Sequence, residues 1–164
     1  MTLIKSISGI RGTIGGKVGD NLTPIDAVKF AAAYGTWLKN NNPNIIKLKV
    51  VVGRDARISG PMIHNLVIQT LVGLGIDIVD LGLSTTPTVE VAVPLENANG
   101  GIILTASHNP KQWNALKLLN EKGEFLNGIE GEKILVIAES DAFDFSDVDS
   151  LGEITENDAY MDIH

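Results

Sequence analysis

A chain of 164 residues with 44% apolar and 20% charged residues is long enough to bury one sizeable core and too apolar to be disordered. Its net charge of −7 disfavours a nucleic-acid surface, which wants clustered Lys and Arg, and the absence of cysteine removes disulfides and thiolate metal sites. The opening Met1-Thr-Leu-Ile-Lys-Ser lacks an apolar leader segment, and no apolar run approaches ~18 residues. The expectation is a cytoplasmic domain with neither a membrane nor a nucleic-acid partner; an anionic substrate stays open if a local basic pocket overrides the global field.

In chain order, residues 5 to 19 are rich in glycine, with Gly9, Gly12, Gly15, Gly16 and Gly19 around Arg11. The segment fails the P-loop pattern, because no Gly stands five places before Gly16 and Lys17 is followed by Val18 rather than Ser or Thr. A glycine-tolerant surface hairpin and an arginine-bearing oxyanion clamp both remain open. Thr23, Pro24 and Asp26 then spell a helix start with a capping pair, and Ala27, Phe30, Ala31, Tyr34 and Leu38 recur as one apolar face. Asn40-Asn-Asn-Pro43 ends that helix.

Ile45 to Val52 reads as a buried strand broken only by Lys47 and Lys49. It runs into Gly53-Arg-Asp-Ala-Arg-Ile-Ser-Gly60, and Pro61 opens a helix to about Leu74. A strand, a glycine-started loop with Arg54 and Arg57, and a helix start make an anion-binding corner; equally, the two arginines could pair with Asp55 and other acids. His64 reads as a packed or surface residue. Ile76 to Leu81 is a second strand, and Thr85-Thr86-Pro87 starts a helix with Glu90 expected in its first turn. Gly101 to Leu104 is a third buried strand, ending in Thr105-Ala-Ser-His-Asn-Pro110. Strands alternating with helices predict a parallel sheet with right-handed crossovers.

Ser107, just past the carboxyl end of a buried strand, stands where an open α/β sheet places reactive groups. Adjacent Ser107 and His108 project differently, and the Gly-x-Ser-x-Gly elbow is absent, so a serine hydrolase is disfavoured. Ala115 to Leu119 follows after too few residues for a parallel crossover, which needs about a dozen, so it should be antiparallel at the sheet edge. Residues 121–124 make a turn and 128–139 an amphipathic helix. From Ser140 the chain is acidic, with Asp141, Asp144, Asp147 and Asp149 lacking the Gly and Glu of a calcium loop. The organisation expected is a domain over 1–140 and a solvated linker over 141–164. The fold class is α/β, three layers around a mixed four-stranded sheet of three parallel strands and one antiparallel edge strand.

Thr105-Ala-Ser-His-Asn-Pro110 resembles the phosphoserine loop of the phosphohexose mutases, the phosphoglucomutase and phosphomannomutase family. Ser8-Gly-Ile-Arg-Gly12 is similar to that family's amino-terminal arginine motif, and Gly53-Arg-Asp-Ala-Arg57 to its first strand-end loop. Asn114-Ala-Leu-Lys117 matches its Asn-Gly-x-Lys element, with Ala115 in place of the usual Gly. The motifs stand in register and resemble the first of four domains, so the remaining domains would be partners of this one.

The resemblance implies phosphoryl shuttling between the 1- and 6-hydroxyls of a hexose phosphate through phosphorylated Ser107 and a bisphosphorylated sugar, with a glucose 1,6-bisphosphate-type activator. It implies Mg2+ with one oxygen from the Ser107 phosphate and carboxylates from another domain. Arg11 and Lys117 would stabilise charge or handle protons, and His108 would orient the loop or meet a sugar hydroxyl. Asn109 and Pro110 would fix the loop, Asn109 counting also among the candidates for substrate or phosphate, while Arg54 and Arg57 would hold phosphate or brace the loop. Trp113 would pack at the edge or meet another domain. The domain alone is expected to be inactive. The competing expectation is a non-catalytic phosphosugar-binding or interaction module, and the sugar itself (glucose, mannose or glucosamine) is undecided.

Overall fold

The structure, a computed structural model, describes residues 1–6 and 9–162, with side chains described to residue 160. Ser8, the first residue of the arginine motif, lies outside the described residues. Helix α1 (Pro24–Asn41) begins at the expected capping pair: the Thr23 hydroxyl accepts the Asp26 N–H, and the Asp26 carboxylate accepts the Thr23 N–H. The same carboxylate accepts the Gly19 N–H at 3.0 Å, tying the glycine-rich loop to the helix start. Ala27, Phe30, Ala31, Tyr34 and Leu38 are all buried, as their spacing requires.

Around α1 the chain lays down β1 (Ile4–Ser6), β2 (Gly9–Thr13), β3 (Lys49–Arg54), α2 (Gly60–Gly73), β4 (Asp77–Leu83), α3 (Thr86–Leu95), β5 (Gly100–Leu104), β6 (Trp113–Leu119), α4 (Gly128–Ser140) and β7 (Ile154–Glu156). They form one seven-stranded sheet in the order β1-β2-β6-β5-β3-β4-β7. Strands β5, β3, β4 and β7 run parallel, and β6, β2 and β1 continue the sheet antiparallel. The β5–β6 pairing is antiparallel, as the short connection demands.

The sheet is larger than the four strands expected, and β6 is not its edge. Strand β2 pairs along the outer side of β6, from Gly9↔Lys117 to Thr13↔Trp113. Its glycines hide it in the sequence, yet Gly9 is what permits the pairing: φ is +148° there, and a Cβ would strike the Leu116 carbonyl. At the other edge, part of the stretch expected to be solvated linker supplies β7, parallel to β4. Three exposed residues carry no apolar alternation to announce a strand. Beyond it, Tyr160 is buried and its hydroxyl donates to the Glu96 carboxylate at 2.5 Å; burial first, and then that carboxylate, push its pKa up to about 12.

Two local expectations also shift. Strand β3 begins at Lys49 rather than Ile45, because its partners begin there (Lys49↔Asp77, Val50↔Gly100) and the preceding residues must return the chain from the end of α1. Ile46 is fully exposed in that return. Helix α3 starts where read, with Thr85 as its cap, but its first turn holds no acid, so Glu90 lies beyond it.

Strand alternation divides the core into two layers. Val50, Val52, Ile78, Ile102, Leu104, Leu116 and Leu118 face α1, α2 and α4. Val51, Val79, Leu81, Ile103 and Leu119 face α3 and Tyr160. Helix α3 packs on β3 and β5. Farther along the same face, β6 and β2 carry Ala115, Lys117 and Arg11. No helix of the described residues is long and apolar enough to cross a membrane.

Tyr34 pins α1 to the start of the β5–β6 ladder. Its buried hydroxyl donates to the Leu119 carbonyl at 2.6 Å and accepts the Gly101 N–H at 3.0 Å. Gly100 is bare because any Cβ there would meet that hydroxyl. Burial holds the phenol well above its ordinary pKa, so it stays a donor. Tyr34→Phe leaves a buried N–H and a buried carbonyl without this partner and should cost about 1–3 kcal/mol in urea unfolding. A loss near zero would mean that this contact does not hold the helix to the sheet.

Candidate active site

The carboxyl end of β5 continues as the loop to β6. Thr105 still donates its N–H to the Ala115 carbonyl, at 3.2 Å, and the Asn109 N–H then closes a turn on the Ala106 carbonyl at 3.0 Å. Inside that turn Ser107 has φ +55°, the left-handed region. Its N–H donates to Thr105 Oγ1 at 3.1 Å, and its side chain is exposed. Lys117, on β6, donates from Nζ to Ser107 Oγ at 2.8 Å. The sheet thus delivers an ammonium to a serine hydroxyl that the loop presents to solvent.

Arg57 is half-buried and turned in beneath the loop rather than aimed outward. Of its five N–H donors, Nε meets Asp55 Oδ2 at 3.2 Å. Nη1 meets the carbonyls of Pro110 (2.8 Å) and Trp113 (3.1 Å), and Nη2 those of Ser107 and Asn109 (both 2.8 Å). No donor is left for a phosphate, so of its two expected roles the geometry supports bracing. Arg54 is turned to the Asp55 carbonyl at 3.1 Å and toward the start of α2 at Gly60. His108 is exposed and Asn109 half-buried on the Ser107 turn, and neither side chain makes a hydrogen bond with the described residues. Trp113 is half-buried at the start of β6 and lends the brace its carbonyl.

Arg11 does share a space with Lys117. The pairs Gly9↔Lys117 and Arg11↔Ala115 place both cations on one face of the sheet, diagonal to each other across two small residues. Together with Ser6 they line a hollow of about 190 Å³. The Arg11 side chain is exposed and makes no hydrogen bond or ion pair among the described residues. A larger hollow, about 410 Å³, lies at the opposite, amino-terminal ends of the parallel strands. Its lysines are turned to main-chain carbonyls, Lys39 to Leu74 and Lys47 to Ser150 and Leu151.

Three residues carry more of this geometry than their sequence reading suggested. Asp55 accepts from Thr105 Oγ1 (2.6 Å), from Arg57 Nε and from the Arg57 N–H (3.2 Å). The last contact is an Asx turn, legible in principle from Asp two places before Arg. Thr105 joins Asp55 to Ser107. Asn114 is fully buried and ties β6 to the start of α2 through Ser59 Oγ at 2.9 Å.

With this geometry in place, the model of the phosphoglucomutase/phosphomannomutase α/β/α domain I matches residues 3–144. The chain belongs to that family. A phosphoglucomutase/phosphomannomutase of Thermococcus kodakarensis is 36% identical over 152 residues, covering 90% of this chain and 32% of that protein. A phosphoglucosamine mutase of Lactobacillus acidophilus is 35% identical over 150 residues, covering 90% and 32%. The crystal structure of a phosphoglucomutase/phosphomannomutase family protein of Burkholderia thailandensis superposes with a TM-score of 0.77 at 25% identity, covering 95% of this chain and 33% of that one. The chain therefore spans about a third of the length of these relatives.

One polar pair next to the family's first strand-end loop reports on the stability of the sheet's carboxyl end. His64 Nε2 lies 2.8 Å from Asp80 Oδ1, both largely buried. Burial alone would raise the Asp80 pKa, but hydrogen bonds from His64 and the Gly82 N–H, and the charges of His64 and Arg54, outweigh it and hold the carboxyl below the aspartate value of 3.8. A depressed carboxyl stabilises the fold above the unfolded-state pKa, and that contribution is lost as pH falls through the folded-state value. His64→Gln should therefore cost about 1–2 kcal/mol at neutral pH and less once Asp80 is protonated below its folded pKa. Urea unfolding at several pH values checks this; a cost independent of pH would contradict it.

Proposed function

We propose that this domain carries the phosphoryl group of a hexose-phosphate phosphotransferase on Ser107, shuttling it between the 1- and 6-hydroxyls through a bisphosphorylated sugar. The observation that carries the reading is the 2.8 Å contact from Lys117 Nζ to the exposed Ser107 Oγ. When phosphoserine donates, the Oγ–P bond breaks as a bond from phosphorus to the sugar hydroxyl oxygen forms. A serine alkoxide is a poor leaving group, and an ammonium in contact with Oγ can protonate it as it departs. The sugar hydroxyl's proton then returns through solvent to the neutral amine, so the exchange is balanced. In the reverse step Oγ attacks phosphorus of the bisphosphorylated sugar and the bond from phosphorus to the sugar oxygen breaks; the ammonium gives its proton through solvent to that departing oxygen, and the amine so freed takes the Ser107 proton. Arg11, across the hollow from Lys117, has donors available for the transferring group or the second phosphate. The imidazole of His108, exposed on the same turn, would meet a sugar hydroxyl.

The donor set on this chain does not by itself fit magnesium. No group of three carboxylates or imidazoles that could hold a metal occurs among the described residues, and the nearby Asp55 carboxylate is engaged by Arg57 and Thr105. The steps above are written for this chain's own residues. The phosphate on Ser107 would contribute a metal oxygen only together with ligands from outside this chain. That dependence supports the expectation that the domain needs the family's other domains to turn over.

The test joins this domain to those other domains and incubates the protein with glucose 1,6-bisphosphate and magnesium. Intact mass should show one added phosphoryl group, mapped to Ser107 and absent in Ser107→Ala. Lys117→Met should slow its appearance about 10²–10⁴-fold, the usual weight of a positioned proton donor. Phosphoryl incorporation that persists in Ser107→Ala would overturn the reading.

A further inference from the structure

Among the described residues Asn97, Ser107 and Asp141 are the non-glycines with positive φ. Asn and Asp tolerate that region because their short polar side chains bond locally, and Asp141 sits at the end of α4, where such a residue is common. Serine has no such licence. A left-handed non-glycine is costly and persists only where its surroundings over-determine it. At Ser107 the over-determination is visible on both sides of the residue. Its N–H is held by Thr105 Oγ1 and its carbonyl by Arg57 Nη2.

The direction of the Thr105 hydroxyl is forced. A carboxylate only accepts, so the single proton on Thr105 Oγ1 goes to Asp55 Oδ2, at 2.6 Å, and a lone pair is left for the Ser107 N–H. Asp55 cannot swing away, because Arg57 holds it through both Nε and the main-chain N–H. Thr105 is itself buried and lies beneath the loop, outside the hollow between Arg11 and Lys117. We propose that Thr105 is a positioning residue for phosphoryl transfer at Ser107, its hydroxyl polarised by Asp55 so that it holds the serine in the one backbone conformation that brings Oγ to Lys117. Without that acceptor Ser107 relaxes toward negative φ, and the hydroxyl leaves the ammonium. The proposal rests on Ser107 being the phosphoryl carrier.

The test uses Thr105→Val, which keeps the side-chain shape but lacks the acceptor, and Thr105→Ser, which restores it. Both are made in the protein that joins this domain to the family's other domains, with glucose 1-phosphate as substrate, and thermal unfolding confirms that they fold. Thr105→Val should lower kcat about 10–100-fold while KM stays within about 2-fold, because the loss is one of geometry rather than of substrate binding. Thr105→Ser should recover most of the rate. Asp55→Asn keeps the volume but frees the hydroxyl's direction, gives the same loss confined to kcat, and decides the matter if valine disturbs folding. A parental kcat in Thr105→Val alongside an inactive Ser107→Ala overturns the positioning role and leaves the carrier in place, as does a serine variant no better than valine. Parental activity in Ser107→Ala would instead remove the carrier itself.

Discussion

One contact constrains everything around it: an ammonium 2.8 Å from a serine hydroxyl at the rim of the sheet. For it to exist, β6 must run antiparallel to β5, so that Lys117, opposite Ile103, stands level with the loop that β5 feeds. The loop must also turn back on itself, and Ser107 must take a backbone conformation that serine rarely adopts. The Arg57 guanidinium stabilises that turn by gathering four carbonyls, and the Asp55 carboxylate it holds directs Thr105 onto the Ser107 amide. The cost of the unusual φ, on the order of 1–2 kcal/mol, is comparable to a few net hydrogen bonds, which is what the brace supplies.

A division of labour among the basic residues follows. Arg57 gives all of its side-chain donors to the protein, Lys117 touches the Ser107 hydroxyl, and the Arg11 side chain faces the hollow without a protein partner among the described residues. Arginine suits the first task because its planar fork can serve several carbonyls at once, and lysine the second because an ammonium can give up a proton. A chain of net charge −7 can accept an anion here because the local field, set by Arg11 and Lys117 across Gly9 and Ala115, opposes the global one.

Much of this was legible in the sequence, and the residues show why. The capping pair Thr23–Asp26, the apolar face of α1 and the antiparallel sense of β6 follow from local chemistry and loop length, and each is found in the structure. The outer strands were not legible. In β2 the glycine that allows close approach to Leu116 is the feature that makes the segment look like a loop, and β7 is three exposed residues whose pairing is decided entirely by β4. In the candidate site, Ser107 and Lys117 were singled out by their motifs, and the structure brings them into contact. The pairing of Arg57 with Asp55 and its bracing of the loop stood there only as one of two alternatives, because a sequence shows which charges are near one another but not which way a guanidinium points. The acidic composition of the strip from residue 141 likewise conceals one aromatic, Tyr160, that closes the α3 face of the core.

The central claim is that the left-handed turn exists to hold a phosphoryl group on Ser107 against Lys117. A crystal structure of the protein phosphorylated at Ser107 addresses it most directly. The account predicts that Ser107 keeps its positive φ, the Arg57 brace stays closed, and a phosphate or ester oxygen lies within hydrogen-bond distance of Lys117 Nζ. A serine relaxed to negative φ, with its phosphate turned away from both Lys117 and Arg11, would contradict it.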